Sequence, residues 1–121
     1  MTNEKALFAE QLRTRTKANA VEVIRLFRLF PKTEEARIIG RQLIRCATSV
    51  AANYRAACRA RSKAEFYAKL SICVEECDET IFWLEVTEES QIHISEKIIR
   101  IKAETLEVLK VLAAARKKAS D

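Results

Sequence analysis

Apolar residues recur along the chain at a spacing of three or four, in four segments separated by short polar links. This periodicity predicts amphipathic helices over about residues 5–29, 34–60, 63–87 and 96–118. In the third segment the apolar positions step by 4, 3, 4, 4 and 3, which is typical of a bundle core. The predicted core positions are Leu7, Leu12, Val21, Ile24, Phe27 and Phe30, then Ile39, Leu43, Ala47, Val50, Ala51, Tyr54 and Cys58, then Phe66, Leu70, Cys73, Cys77, Ile81 and Leu84, and finally Ile98, Ile101, Thr105, Val108, Leu109 and Leu112.

The polar links carry signals for helix ends. Pro31 ends the first segment, because a proline disfavours helical conformation in the residue before it. Thr33 and Ser95 stand where N-caps of the second and fourth helices are expected. Ser62 and Glu65 fit a capping box, which places a helix start at Lys63. The links are short, so consecutive helices are expected to pack antiparallel.

One Gly and one Pro in 121 residues leave few residues for tight turns, which argues against a β-rich fold. The fold class predicted is therefore all-α: an antiparallel up-down-up-down four-helix bundle forming one domain over residues 1–121. The glycine, Gly40, flanks the apolar face of the second helix and is expected to allow close helix packing.

No run approaches the roughly 20 apolar residues that span a bilayer, and the N-terminus carries charges where a signal peptide has its apolar core. We expect a cytoplasmic protein with no membrane contact. Its four cysteines, which are Cys46, Cys58, Cys73 and Cys77, are then expected to be buried free thiols.

Charge is strongly segregated along the chain, although the formal net charge is only +5. Residues 36–63 contain seven basic groups and no acid, whereas residues 64–89 contain eight acids and one lysine. On a helix, Arg37, Arg41, Arg45, Arg55 and Arg59 fall within an arc of roughly 80°, opposite the apolar face. We call these five residues the arginine stripe. Arg61 and Lys63 continue the basic run into the next turn.

Two interpretations of the arginine stripe remain open at this point. It can pair with the acids of the third helix, within one subunit or across an oligomer interface. Alternatively it can bind a polyanion, since it covers about 33 Å of helix and can follow several phosphates. Glu76 and Glu79 lie beside Trp83 and are expected to be partly buried, with arginines of the second helix as partners.

Nothing in the sequence points to catalysis. His93, the single histidine, lies in a link with no carboxylate or cysteine at motif spacing, so it is read as a surface or linker residue. The cysteines lie in or beside the predicted core rather than at metal-ligand spacing, and one glycine excludes a Gly-rich phosphate loop. We therefore expect no enzyme activity, no metal and no cofactor.

Two stretches of the sequence, "LFPKTE" and "RQLIRCATSVAANYRAACRARSKAEFYAKLSICVEECDETIFWLE", resemble the four-helix-bundle proteins encoded in intervening sequences of bacterial large-subunit ribosomal RNA genes. The resemblance covers about residues 26–112. Its matching positions are Phe30, Pro31, Glu34, Gln42, Leu43, Arg45, Ala47, Ser49, Val50, Asn53, Arg61, Ser62, Glu65, Phe66, Leu70, Ile72, Glu76, Glu79, Trp83 and Leu84. One departure is Ala56, which stands where the family usually has a glutamate.

The resemblance implies a bundle assembled as a ring-like homo-oligomer, with a pentamer suspected. It also implies similarity in fold to the accessory variability protein of diversity-generating retroelements, a basic pentamer that partners a reverse transcriptase and its template RNA. The function predicted is a non-catalytic oligomeric bundle that contacts RNA or DNA phosphates through Arg37, Arg41, Arg45, Arg55, Arg59, Arg61 and Lys63. Its partners would be itself, a nucleic acid and a reverse transcriptase. Basic residues of the fourth helix, which are Lys102, Lys110, Arg116, Lys117 and Lys118, would extend the surface. The alternative is a protein–protein adaptor whose arginine stripe is used in subunit contacts.

Overall fold

The computed structural model describes residues 3–120, which form four α-helices and no strand. The helices are α1 (Asn3–Phe27), α2 (Glu34–Cys58), α3 (Lys63–Glu89) and α4 (Glu96–Ala119). Each helix packs against its neighbour in the chain, and α4 closes the bundle by packing against α1. The predicted fold class, an all-α four-helix bundle, is confirmed.

The N-terminal caps of α2, α3 and α4 lie at the predicted residues. The hydroxyl of Thr33 accepts from the N–H of Ala36, that of Ser62 from Glu65, and that of Ser95 from Ile98. Each bond satisfies one of the N–H groups that have no partner within the helix. The carboxylate of Glu65 lies 3.9 Å from Nε of Arg61, and no bond from it back to Ser62 is found among the described residues.

The core contains the predicted apolar positions of α2, α3 and α4, apart from a few that are half-buried at its edge. In α1 the predicted face is wrong in part, because Leu7 and Val21 are 55% and 39% exposed. The buried residues of α1 are instead Leu12, Thr16, Ala20, Val23 and Leu26. These five residues recur every three or four positions and therefore share one face of α1. Two of them, Thr16 and Ala20, are polar or small, so the face is not recognised from the spacing of large apolar residues.

Gly40 marks a close approach of α1 to α2. A Cβ atom at this position would lie 2.1 Å from Cε1 of Phe27, well inside any real contact distance. Glycine therefore allows the Phe27 ring to pack directly on the α2 backbone, where it also makes an edge contact with Phe30. The expectation that Gly40 serves helix packing is confirmed.

Candidate nucleic-acid interface

All five residues of the arginine stripe are exposed on the face of α2 opposite the buried residues, as the helical arc predicts. The structure nevertheless divides them into two groups. Arg45 pairs with α3, whereas Arg37, Arg41, Arg55 and Arg59 have no acid within 4.0 Å among residues 3–120. The two interpretations of the sequence therefore apply to different members of the stripe.

Arg45 is the residue that ties α2 to the acidic helix. Its guanidinium donates to Oε2 of Glu76 at 3.0 Å and to Oε2 of Glu79. The same carboxylate of Glu79 accepts from Nε1 of Trp83 at 3.1 Å and from the thiol of Cys46 at 2.8 Å. These contacts confirm that Glu76 and Glu79 find an arginine of the second helix as their partner. The cluster fixes the register of α2 against α3.

The cluster shifts the protonation of two of its members. Hydrogen bonds from Cys46 and Trp83, together with the nearby charge of Arg45, lower the pKa of Glu79. Burial and the adjacent carboxylate of Glu79 raise the pKa of Cys46 to about 12. Both directions favour an ionised glutamate and a neutral thiol at neutral pH. We assign this cluster a structural role.

An open groove between α1 and α2 brings further cations to the free part of the stripe. It has a volume of about 760 Å³ and is lined by Arg55 of α2, by Arg59 at the C-terminal cap of α2, and by Arg13 and Lys17 of α1. Its apolar floor includes Ala20, Val21, Ile24, Ala51 and Ala52, and no acid among residues 3–120 lines it. We call this feature the basic groove. It presents four cationic side chains around an apolar floor.

Arg13 and Lys17 are not among the site residues predicted from the sequence. The available signal was their spacing of four residues, the same as that of Arg55 and Arg59. Spacing alone does not say which helix faces which, so the pairing of the two rows required the folded bundle. Ala56, at the position where the family usually has an acid, leaves α2 with no acid beside the groove.

The other predicted site residues surround the same end of the bundle. Arg61 is exposed in the α2–α3 turn and lies within 3.9 Å of Glu65, while Lys63 is exposed at the start of α3. The last turn of α4 adds Arg116, Lys117 and Lys118 at this end. By contrast, Lys102 and Lys110 are paired with Glu88 and Glu107. The predicted extension through α4 is therefore restricted to its last turn.

Three of the four cysteines are buried, and Cys58 is the exception. Cys58 is half-buried and lines the basic groove, so the expectation of four buried thiols is wrong at this position. Burial raises the pKa values of Cys73 and Cys77 to about 12 each. All four are free thiols. Cys58 is thus the thiol most open to reagents.

No cluster of three or more His, Cys, Asp or Glu side chains able to hold a metal occurs within residues 3–120. None of the described helices is long and apolar enough to cross a membrane. His93 lies in the α3–α4 link, half-buried, where its ring contacts Phe30 and its Nε2 lies 2.7 Å from the hydroxyl of Ser95.

The fold and the groove together define a class of protein: a small all-α bundle with a cationic groove between its first two helices. The family model described as 23S rRNA-intervening sequence protein matches residues 10–114, and the chain belongs to this family. A crystal structure of a protein of unknown function from the S23 ribosomal protein family of Bacteroides thetaiotaomicron is similar, with a TM-score of 0.82 and 28% sequence identity. The match covers 90% of this chain and 97% of that protein. No curated protein matches the chain.

Proposed function

We propose that the protein is a non-catalytic, homo-oligomeric bundle that binds RNA or DNA through the basic groove. The observation that carries the proposal is the lining of the groove, where Arg13, Lys17, Arg55 and Arg59 meet and no acid of the described part of the chain is present. Like charges held this close repel one another unless a counter-charge neutralises them. A polyanion can neutralise all four cations, because it brings several negative charges to the groove at once.

The geometry favours a sugar-phosphate backbone over an isolated anion. The two cations of each helix are one turn apart, so they form two short rows along opposite sides of the groove. Arginine donates to phosphate through two parallel N–H groups, which suits a chain of phosphates. Arg61, Lys63 and the last turn of α4 continue the positive potential beyond the groove.

The lining indicates little sequence preference. Its polar uncharged members are Thr14 and Thr48, and none of the described residues that line it has an aromatic side chain on which a base could stack. Contacts to phosphates position a nucleic acid but carry no sequence information. We therefore expect similar affinity for unrelated sequences and strong dependence on salt.

Charge reversal in the groove tests the proposal. The double variant R55E/R59E should lose binding to a fluorescently labelled RNA or DNA oligonucleotide in an anisotropy titration at low salt. The matched control is R25E/R100E, which makes the same charge change at exposed arginines outside the groove. If both variants lost binding affinity equally, the loss would be explained by the change in net charge alone. That result would contradict a binding site in the groove.

The family resemblance extends the proposal to partners. A ring-like homo-oligomer, which the resemblance implies has five subunits, would bring several grooves to one nucleic acid and increase its avidity. An accessory role beside a reverse transcriptase in the cytoplasm belongs to the same proposal. It is supported by the presence of two chemically opposite faces on one chain, one basic on α2 and one acidic on α3.

A second candidate function is a protein–protein adaptor in which the arginine stripe is used in subunit contacts. The acidic exposed face of α3 favours this candidate, since it offers a partner of opposite charge. The adaptor predicts that R55E/R59E breaks the oligomer. Nucleic-acid binding through the groove predicts an intact oligomer that no longer binds.

A further inference from the structure

The lining of the basic groove changes in character along its length. The cations lie at one end, which we call the cationic end and which consists of Arg13, Lys17, Arg55 and Arg59. The other stretch, which we call the apolar end, is lined by Ala20, Val21, Ile24, Thr48, Ala51 and Ala52. Because α1 and α2 pack as antiparallel neighbours, residues that follow Lys17 in α1 lie beside residues that precede Arg55 in α2. Both helices therefore contribute to each end.

The apolar end extends well beyond the cations of either helix. Ile24 lies about two turns after Lys17, and Thr48 lies about two turns before Arg55, which is roughly 10 Å along each helix. None of the described residues that line these two turns is charged. A ligand that fills the whole groove therefore needs anionic groups at one end and an uncharged surface at the other.

Hydrogen bonding at the apolar end gives the same result. The hydroxyl of Thr48 already donates to the carbonyl oxygen of Ile44 at 2.7 Å, and the other side chains in the lining of this end are aliphatic. A phosphate placed there would lose water without gaining a donor or a cation, which is costly. The part of the ligand that covers this end is therefore apolar rather than phosphate.

A single strand of nucleic acid has both kinds of surface, whereas a duplex offers mainly one. In a duplex the base faces are stacked on one another and the backbone covers the outside, so a groove in a protein meets phosphates along its whole length. The bases of a single strand are unpaired and can turn their apolar faces to the protein. Contact between a base face and aliphatic side chains needs no hydrogen bond, so every base can make it.

We infer that the basic groove binds a single strand in preference to a duplex, with phosphates at the cationic end and unpaired bases on the apolar end. The inference rests on the proposed function and adds the form of nucleic acid that the groove selects. Strands of RNA and of DNA both have the required surfaces.

Competition binding tests the role of the bases. A labelled oligothymidylate of about 12 nucleotides is bound at low salt, and its anisotropy is followed as unlabelled competitors are added at equal phosphate concentration. The competitors are the same strand, a duplex of the same length, and a strand of abasic residues, which has the phosphates but no bases. The intact strand should compete about tenfold better than either of the others. A duplex has the higher charge density, so charge alone would favour it.

Substitutions at the apolar end test where the bases lie. The variant V21Q/A52Q makes two exposed apolar positions of this end polar without changing the net charge. It should bind the intact strand about tenfold more weakly, with the same salt dependence as the wild type and the same affinity for the abasic strand. The matched control I99Q/L106Q changes two exposed apolar residues of α4 outside the groove and should bind as the wild type does.

Circular dichroism establishes that each variant is helical. If V21Q/A52Q does not fold, the single variant A52Q is measured by the same criterion. The inference would be overturned if the duplex, the abasic strand or a mononucleotide competed as well as the intact strand. It would also be overturned if V21Q/A52Q bound the intact strand normally, or lost affinity for the intact and the abasic strand equally.

The inference and the proposed function fail separately. If the groove does not bind nucleic acid, R55E/R59E binds the strand as well as R25E/R100E does. If the groove binds nucleic acid without selecting a single strand, R55E/R59E still loses binding, but the duplex and the abasic strand compete as well as the intact strand.

Discussion

Replacing Gly40 by alanine measures how tightly α1 and α2 are packed. The added Cβ would lie 2.1 Å and 2.2 Å from two carbon atoms of the Phe27 ring, so the ring or the helix must move. Overpacking of this kind costs about 1–3 kcal/mol, whereas Gly to Ala inside a helix otherwise gains about 1 kcal/mol. The net expectation is a loss of about 1 kcal/mol in the free energy of unfolding. For a chain of this length the midpoint of thermal unfolding then falls by roughly 3–6 °C.

A double-mutant cycle isolates the contact. In an F27A background the ring is gone, so G40A should stabilise the protein by about 1 kcal/mol, its helix-propensity value. The free energies of unfolding of the wild type, the two single variants and the double variant are measured by urea unfolding followed by circular dichroism. All four measurements use one protein concentration, because the chain is expected to associate. The same effect of G40A in both backgrounds would refute the account of Gly40 as the point of contact with Phe27.

Three further predictions follow from the site. The logarithm of the binding constant for a single strand should fall with the logarithm of salt concentration with a slope of about −3 for the four groove cations, and R55Q/R59Q should halve that slope. The pKa of Glu79 is lower in the folded state than its ordinary value near 4.5. The ionised side chain therefore stabilises the fold fully at pH values above 4.5, and this stabilisation is lost as the pH falls through the lowered pKa. E79Q should therefore flatten the acid side of the stability–pH curve, and an unchanged acid limb would exclude the assigned role. In native protein near pH 8, iodoacetamide should modify Cys58 far faster than the three buried thiols, as read by peptide mass spectrometry, and uniform labelling would contradict the burial.

The helices and much of the core could be predicted because each rule involved is local. The caps at Thr33, Ser62 and Ser95 depend on a residue and the three that follow it. The stripe of α3 from Leu70 to Leu84 consists of large apolar residues and cysteines, so its period is plain in the sequence. In α1 the buried face includes Thr16 and Ala20, which are not large apolar residues. The spacing of large apolar residues alone therefore predicted Leu7 and Val21 as core positions, and both are exposed.

The division of the arginine stripe could not be predicted, because it depends on which helix lies beside each arginine. Arg45 and Arg55 lie at opposite edges of the roughly 80° arc, and one faces Glu79 whereas the other faces Lys17 across the groove. The opposite net charges of residues 36–63 and 64–89 showed that the arginines of α2 could pair with the acids of α3. Only the packing of α1 and α3 on either side of α2 shows that Arg45 pairs within the bundle and that the other four arginines have no acid within 4.0 Å among residues 3–120.

The central claim is that nucleic acid occupies the basic groove, and the half-buried thiol in its lining reports on this directly. The measurement is the rate of iodoacetamide modification of Cys58 in the unaltered protein, with and without a saturating oligonucleotide at low salt. Occupation of the groove predicts a severalfold slower rate with the oligonucleotide, restored by high salt, and no such protection in R55E/R59E. Binding that leaves the rate at Cys58 unchanged would contradict the claim and move the nucleic acid to another surface.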